Sequence, residues 1–237
     1  MRNKMKAQIK KLFAAIASTA ESLRTHWDSV VSGYRTVTLG SNHRNEGYKS
    51  ICIGNSNSGF GTSSINIGEN CLNEASQSVT IGRGAYDKSI IGSIVCGAGN
   101  THGQGKVQYG RAILSGRTTS AAPKILCTNG DVPTYANQIT LQDNSALSVR
   151  YNALAFDETT RTISRWSGNV AVRRGANATT TALQAAASIV KLQPPVANTY
   201  ELYITSDTTI GAVRFTVTGG ANPIQWLVNA EWEEMVI

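Results

Sequence analysis

The chain has few residues that could hold a metal, with 4 cysteines and 3 histidines among 237 residues. Cys52, Cys71, Cys96 and Cys127 contain no C-x-x-C pair, and the histidines at positions 26, 43 and 102 lie far from one another. Zinc sites take their ligands from closely spaced pairs, so we expect no metal and no cofactor. The isolated histidines give no candidate for a Ser-His-Asp triad, and the scattered cysteines indicate reduced thiols.

Long apolar runs are also missing, because no stretch approaches the roughly 18 residues of a membrane-spanning helix. The N-terminus does imitate a secretion signal, with basic residues followed by a short apolar stretch at 12–17. Acidic residues are absent from the first 11 positions, which hold five basic ones, whereas 15 basic and 13 acidic residues nearly balance from position 36 onward. The basicity belongs to one end, so we expect no nucleic-acid binding, and the lack of a long apolar run predicts no membrane insertion.

A 14-residue repeat is the strongest pattern that is present. Its unit reads Ser or Thr, branched aliphatic, any residue, aliphatic, glycine, and its copies end at Gly40, Gly54, Gly68 and Gly82. Another small residue lies half a repeat beyond each glycine, at positions 47, 61, 75 and 89. Such self-similarity predicts the stacked coils of a solenoid, since one unit cannot bury its apolar face alone, and the glycines are predicted to form the corners.

The repeat changes after Gly82, where the next copy arrives one residue late and a last weak copy ends at Gly110. Terminal coils of a solenoid are usually atypical. We therefore predict a β-roll shaft over residues 33–110. Low charge, at 16% of residues, and 22 glycines also favour a β-rich chain.

Residues 1–32 carry apolar side chains at alternating spacings of four and three. This heptad pattern predicts a coiled-coil helix that anchors the protein, with a trimer seam formed by Ile9, Phe13, Ile16, Ala20, Leu23, Trp27 and Val30. Isoleucine at successive core positions favours three or more strands over two. Two alternatives stay open: an amphipathic helix packed on its own domain, and a basic helix lying on a membrane surface.

Residues 111–237 alternate between apolar and polar side chains in several segments, at 147–155, 166–172, 213–217 and 224–232. Glycine, asparagine and proline turns separate these segments, which predicts an antiparallel β-sandwich or jelly-roll head. The alternation places Trp166, Trp226 and Trp232 in its core. The predicted fold class is therefore mainly β, with an N-terminal helix, a parallel β-roll shaft and a sandwich head in a trimeric fibre.

The S-[IV]-x-[IL]-G units, with small residues at the half step, resemble the head repeats of trimeric autotransporter adhesins over residues 33–100. That resemblance implies a left-handed parallel β-roll in which three chains pack side by side. The sequence has no recognisable secretion signal of that family's type and no membrane-anchor strands. We therefore expect a protein other than an autotransporter.

A second resemblance covers residues 118–237. The segments 137–141, 166–178, 205–209 and 213–219 occur in order and resemble the C-terminal β-domain of phage and prophage tail-fibre and virion structural proteins. This resemblance implies a virion fibre or spike. It carries no catalytic residues over to this chain.

The leading hypothesis is a homotrimeric fibre or spike of a tailed bacteriophage, assembled in the host cytoplasm and carried on the virion. It would bind a glycan or protein of the host surface, and its basic N-terminus would contact other virion proteins. The turn formed by Asp157, Glu158, Thr159, Thr160 and Arg161 is the predicted receptor contact.

Three alternatives remain: a capsid head fibre or decoration protein, a bacterial surface adhesin, and a glycan-cleaving spike. Cleavage would require paired carboxylates across a groove. The candidates are Asp157 with Glu158, and the cluster of Glu231, Glu233 and Glu234. Because both groups are interpreted as turn and strand charges, we expect a protein without enzymatic activity.

Overall fold

The computed structural model describes residues 23–25, 29–98, 104–193 and 200–237. The protein is mainly β, with 55% strand and 3% helix. Within the described residues the helical segments are two 3-10 turns, Tyr135–Asn137 and Ala178–Thr180, and none is long and apolar enough to cross a membrane.

Ten short strands come first along the chain. They are β1 Leu23–Thr25, β2 Val30–Val31, β3 Val37–Ser41, β4 Arg44–Asn45, β5 Ile51–Asn55, β6 Ser58–Gly59, β7 Ile65–Glu69, β8 Leu72–Asn73, β9 Val79–Arg83 and β10 Ile94–Ala98. Ten further strands follow. They are β11 Val107–Thr118, β12 Lys124–Ile125, β13 Ile139–Thr140, β14 Ser145–Asp157, β15 Ile163–Arg174, β16 Ala182–Leu183, β17 Val190–Gln193, β18 Glu201–Asp207, β19 Ala212–Thr218 and β20 Ile224–Val236.

The first ten strands form a β-solenoid of about 5 turns, as the 14-residue repeat predicted. The longer strands stack in parallel in the order β1-β3-β5-β7-β9-β10, and the two-residue strands stack as β2-β4-β6-β8. Partners in the long stack are 14 residues apart, as in Val37 with Ile51 and Ile51 with Ile65. The step from β9 to β10 is one residue longer, since Val79 pairs with Ile94.

The repeat glycines lie inside the long strands, two residues before the corner. Gly40, Gly54, Gly68 and Gly82 have φ between +102° and +134° and stack directly on one another. The turns themselves use non-glycine residues in left-handed backbone, such as Asn42, Ser56 and Asn70. The glycines therefore allow close contact between neighbouring coils, whereas the prediction placed them at the corners.

The interior of the solenoid is polar and small. The second residue of each five-residue strand points inward, in the middle position between the two outward-facing residues of the unit; these inward residues are Thr38, Cys52, Asn66, Thr80 and Val95. Hydrogen bonds between coils satisfy the polar groups: Thr80 Oγ1 donates to Asn66 Oδ1 at 2.7 Å, and Asn57 Oδ1 accepts the Cys71 amide at 3.0 Å. Because the strand alternates, the aliphatic residues on either side of the middle position face outward.

The strands β1 and β2 correct the predicted N-terminal helix, because no helix is present in the described part of residues 23–31. Leu23 pairs in parallel with Val37, and Val30 with Arg44, so both seam residues belong to the first coil. A heptad is half of a 14-residue coil, so the same apolar spacing fits the solenoid. The remaining seam residues lie outside the described residues; they are Ile9, Phe13, Ile16, Ala20 and Trp27.

The C-terminal half packs two antiparallel sheets against each other. The larger is β11-β20-β14-β15, with β16 and β17 on β15, and the smaller is β12-β19-β13, with β18 on β19. As predicted, the core between them buries Trp166, Trp226 and Trp232. The ring centres of Tyr151, in the larger sheet, and Phe215, in the smaller sheet, lie 5.5 Å apart.

The solenoid and the head share one sheet. Strand β10 pairs antiparallel with β11, with Ile94 opposite Arg111, so that the long solenoid stack continues into the larger head sheet. Strand β11 begins at Val107 and therefore runs across the boundary predicted at 110–111. Backbone hydrogen bonds thus pass without a break from the shaft into the head.

Candidate functional sites

An apolar face runs along the outside of the solenoid. The face consists of two rows of side chains that the in-register stacking aligns. One row is Val37, Ile51, Ile65, Val79 and Ile94, and the other is Leu39, Ile53, Ile67, Ile81 and Cys96. We call these two rows the outer face. Three of its members, Ile67, Ile81 and Ile94, are 36%, 40% and 46% exposed. A continuous apolar patch of this kind is typical of an interaction surface.

The outer face changes character where the sheet enters the head. Opposite Ile94 lies Arg111, and the next strands add Glu231 and Arg150 in the same row. Tyr109 and Glu233 lie in the neighbouring row, beside a surface cleft of about 90 Å³. Burial and the nearby Glu231 carboxylate raise the pKa of Tyr109. The head therefore presents paired charges where the shaft presents aliphatic side chains.

The predicted carboxylate cluster of the last strand is divided between two faces. Glu231 and Glu233 lie on the outer side of β20, whereas the alternation turns Glu234 into the core, where its side chain is fully buried. Only two of the three carboxylates therefore share a surface.

Asp157 of the predicted receptor turn is a buried anchor of the hairpin between β14 and β15. Its Oδ1 accepts the amides of Thr159 and Thr160, both at 2.9 Å. Its Oδ2 accepts the Tyr200 hydroxyl at 2.6 Å and the Asn222 amide at 2.9 Å. Burial by itself would raise the pKa of Asp157, but these hydrogen bonds hold it well below its usual range.

The other residues of that turn are either held by hydrogen bonds or exposed. Glu158 accepts two hydrogen bonds from Arg117, at 2.9 and 2.7 Å, and one from Gln225 at 2.6 Å, which lower the pKa of Glu158 to about 2. Thr159, Thr160 and Arg161 form the exposed tip. The Asp157 and Glu158 carboxylates bind different partners, and Asp157 is buried, whereas a hydrolytic pair requires two carboxylates that both face the substrate.

A buried polar cluster joins the last solenoid coil to the head, and we call it the junction cluster. Lys88 Nζ lies 2.8 Å from Glu234 Oε2, donates to the carbonyl oxygen of Thr140 at 2.5 Å, and lies 5.3 Å from the Trp232 ring centre. Gln108 Nε2 donates to the same Glu234 oxygen at 2.9 Å. The side chains of Lys88 and Glu234 are completely inaccessible to solvent.

Sequence reasoning missed Lys88, although it had found the signal that marks this residue. The register slips by one residue after Gly82, and the structure places that extra residue between the left-handed turns at Gly84 and Gly92. Lys88 and Ser89 lie in this segment, and both adopt left-handed backbone, with φ of +53° and +59°. The inserted residue thus belongs to the turn from which the Lys88 side chain reaches Glu234 of the head.

Within the described residues no group of three or more His, Cys, Asp or Glu side chains could hold a metal ion. The fold defines a β-solenoid protein with a β-sandwich joined to it through one sheet. No protein family matches the chain, and no curated protein matches it in sequence.

Proposed function

We propose that the protein is a structural fibre or spike of a tailed bacteriophage, a homotrimer that attaches to the host surface by non-covalent binding. The outer face is the observation that carries this proposal. The sequence resemblances to adhesin repeats and to virion β-domains support the same class of protein. Three identical heads would multiply individually weak contacts with a host glycan or protein.

Copies of the same chain are the occupants that best fit the outer face. None of its ten side chains is charged, and the in-register stacking aligns them from coil to coil, so that identical faces can pack without charge repulsion. Full burial of one aliphatic side chain stabilises by about 1.5–3 kcal/mol. Burial of the partly exposed aliphatic side chains of the outer face would therefore favour assembly.

The mass of the full chain in solution tests the assembly. We expect three times the mass of one chain by light scattering or sedimentation, and loss of the trimer in the double variant Ile67→Ser, Ile81→Ser. The control is Val132→Ser, because Val132 is 77% exposed but lies outside the outer face. A wild-type protein that stays monomeric would contradict the proposal.

Cys96 provides a second readout on the same preparation. It is the half-exposed cysteine of the outer face, whereas Cys52, Cys71 and Cys127 are buried. Burial raises the pKa of Cys52 to about 12, so that this thiol does not compete for a maleimide reagent. Cys96 should be protected in the wild type and labelled in the double variant; equal labelling in both proteins would place the interface elsewhere.

The exposed tip at Thr159, Thr160 and Arg161 remains the proposed receptor contact. Replacing all three with alanine should reduce adsorption to host cells while leaving the mass in solution and the melting temperature unchanged. Unchanged adsorption would remove the tip from the proposal. Labelling the chain on intact particles would distinguish a tail fibre from a capsid decoration protein.

A further inference from the structure

In the junction cluster, Lys88 and Gln108 both contact the same carboxylate oxygen of Glu234. Glu234 Oε2 accepts Gln108 Nε2 at 2.9 Å and lies 2.8 Å from Lys88 Nζ. The two nitrogens therefore cannot be farther apart than the sum of these two distances. An amine is thus held beside a carboxamide, and a carboxylate contacts both.

The carboxamide and the carboxylate are both fixed by backbone donors. The Tyr86 amide donates to Gln108 Oε1 at 3.1 Å, and the Gln142 amide donates to Glu234 Oε1, also at 3.1 Å. Negative charge would develop on the Gln108 oxygen if a nucleophile attacked its carbonyl carbon. The Tyr86 amide is then a preorganised donor for that charge.

The surroundings exclude water. Counting backbone and side chain together, Lys88 is 0% exposed, Gln108 is 2% exposed and Glu234 is 3% exposed, and the Trp232 ring lies beside the amine. Exclusion of water prevents hydrolysis from competing with transfer of the acyl group to an amine. Stability alone gives a weak reason for burying this ion pair, because well-packed apolar residues usually serve a core as well or better.

From this geometry we propose that Lys88 and Gln108 become joined by an intramolecular isopeptide bond, with Glu234 as the proton-transfer group. Glu234 Oε2 takes a proton from the Lys88 ammonium, and the free amine attacks the Gln108 carbonyl carbon. The tetrahedral intermediate places its negative charge on the oxygen bound by the Tyr86 amide. Glu234 then passes a proton from the attacking nitrogen to the Gln108 nitrogen, which leaves as ammonia.

The atoms and charges of this reaction balance without a further reactant. One C–N bond of Gln108 breaks and one C–N bond to Lys88 forms. The products are a secondary amide, one ammonia molecule and a Glu234 carboxyl group that keeps the remaining proton. No oxidant, nucleotide or metal is required.

The bond would tie the last solenoid coil to β11, the first strand of the head. It would close the chain segment between positions 88 and 108, and a cross-link of this kind restricts the unfolded chain. Its position is where a pull on the head would be transmitted to the shaft. This inference does not depend on the proposed attachment function.

Mass spectrometry of the purified, denatured full chain tests the proposal. We expect the intact mass to lie one ammonia below the mass calculated from the sequence. Trypsin should fail to cleave after Lys88, and the peptide spanning 84–106 should be found joined to the peptide spanning 107–111. Fragmentation should locate the link between Lys88 and Gln108.

Two variants are matched controls. Lys88→Arg keeps the charge without the attacking amine, and Gln108→Leu removes the acyl group; both should show the full calculated mass and no joined peptides. The peptide map is essential because Asn129 precedes Gly130, and ring closure at such an Asn-Gly pair also releases ammonia.

Wild-type protein that is cleaved normally after Lys88 and gives separate peptides would overturn the proposal, whether or not either variant folds. A link from Lys88 to Glu234 with loss of water would overturn the assignment to Gln108. An ammonia loss that persists in Lys88→Arg would show that it arises at another residue, and would equally count against the bond.

Discussion

Asp157 shows how a single carboxylate organises the hairpin at the tip of the head. All four of its hydrogen bonds favour the charged form, and together they lower its pKa below the ordinary value of 3.8. A carboxylate whose folded-state pKa is lowered contributes stability that is fully present above its ordinary pKa. That contribution is lost as the pH falls through the lower, folded-state value.

We therefore expect Asp157→Asn to be less stable than the wild type at neutral pH, because an amide cannot accept all four hydrogen bonds. The difference should stay constant between about pH 7 and pH 5 and shrink below about pH 4, where the wild type loses its advantage. Urea unfolding across this pH range measures the difference in the free energy of unfolding. The control is Asp131→Asn, in an exposed loop; an equal loss in both variants would contradict the anchoring role of Asp157.

The sequence could not reveal this role of Asp157. A carboxylate next to threonines in a turn is normally exposed, and that pattern led to the receptor-contact prediction. The partners that bury it, Tyr200 and Asn222, are 43 and 65 residues away along the chain. Lys88 presents the same difficulty, because its contact with Glu234 depends on how the last coil meets the head.

The coils of the solenoid depend on close stacking of the repeat glycines. A methyl group added at Gly68 would lie 1.7 Å from the carbonyl oxygen of Gly82, and at Gly54 it would lie 1.9 Å from that of Gly68. Contacts this short would force neighbouring coils apart. The glycine of each unit is therefore required both by the space available and by its positive φ.

Gly68→Ala should accordingly lower the free energy of unfolding by more than the cost of a left-handed backbone alone, which is about 1–2 kcal/mol. Gly92→Ala is the matched control, since Gly92 also has positive φ, at +72°, but an added methyl group would meet no atom within 4 Å. Urea unfolding of the two variants compares Gly92, in the ordinary left-handed region, with Gly68 at φ +134°, where both the backbone angle and the contact with Gly82 disfavour a side chain. Equal destabilisation would mean that the coils can separate without cost.

The repeat predicted the period of the coils well, because a 14-residue step determines which residues stack. It did not determine which side of the strand faces inward. Both aliphatic side chains of a unit share one side, and the burial and hydrogen bonds of interior residues such as Asn66 and Thr80 establish that the opposite side is the core. The apolar spacing at Leu23 and Val30 was ambiguous for a related reason, since seven is both a heptad and half a coil.

Two of the connections between the shaft and the head are the continuous sheet through β10 and β11 and the junction cluster around Lys88 and Glu234. Both connect the last coil to strands of the larger head sheet. We therefore expect the shaft and the head to unfold together, as one cooperative unit.

Replacement of Lys88 by methionine tests this coupling. It leaves Glu234 buried without the contact to Lys88 and also removes the proposed bond to Gln108, which together should destabilise the protein by at least about 3–5 kcal/mol. The control is Lys191→Met, which removes a half-exposed ion pair with Glu201 and should cost no more than about 1 kcal/mol. Calorimetry should give one transition for the wild type and for Lys191→Met, but a separate, earlier transition for Lys88→Met. If the two variants were equally stable and each melted in one step, the junction cluster would not be needed to couple the shaft and the head.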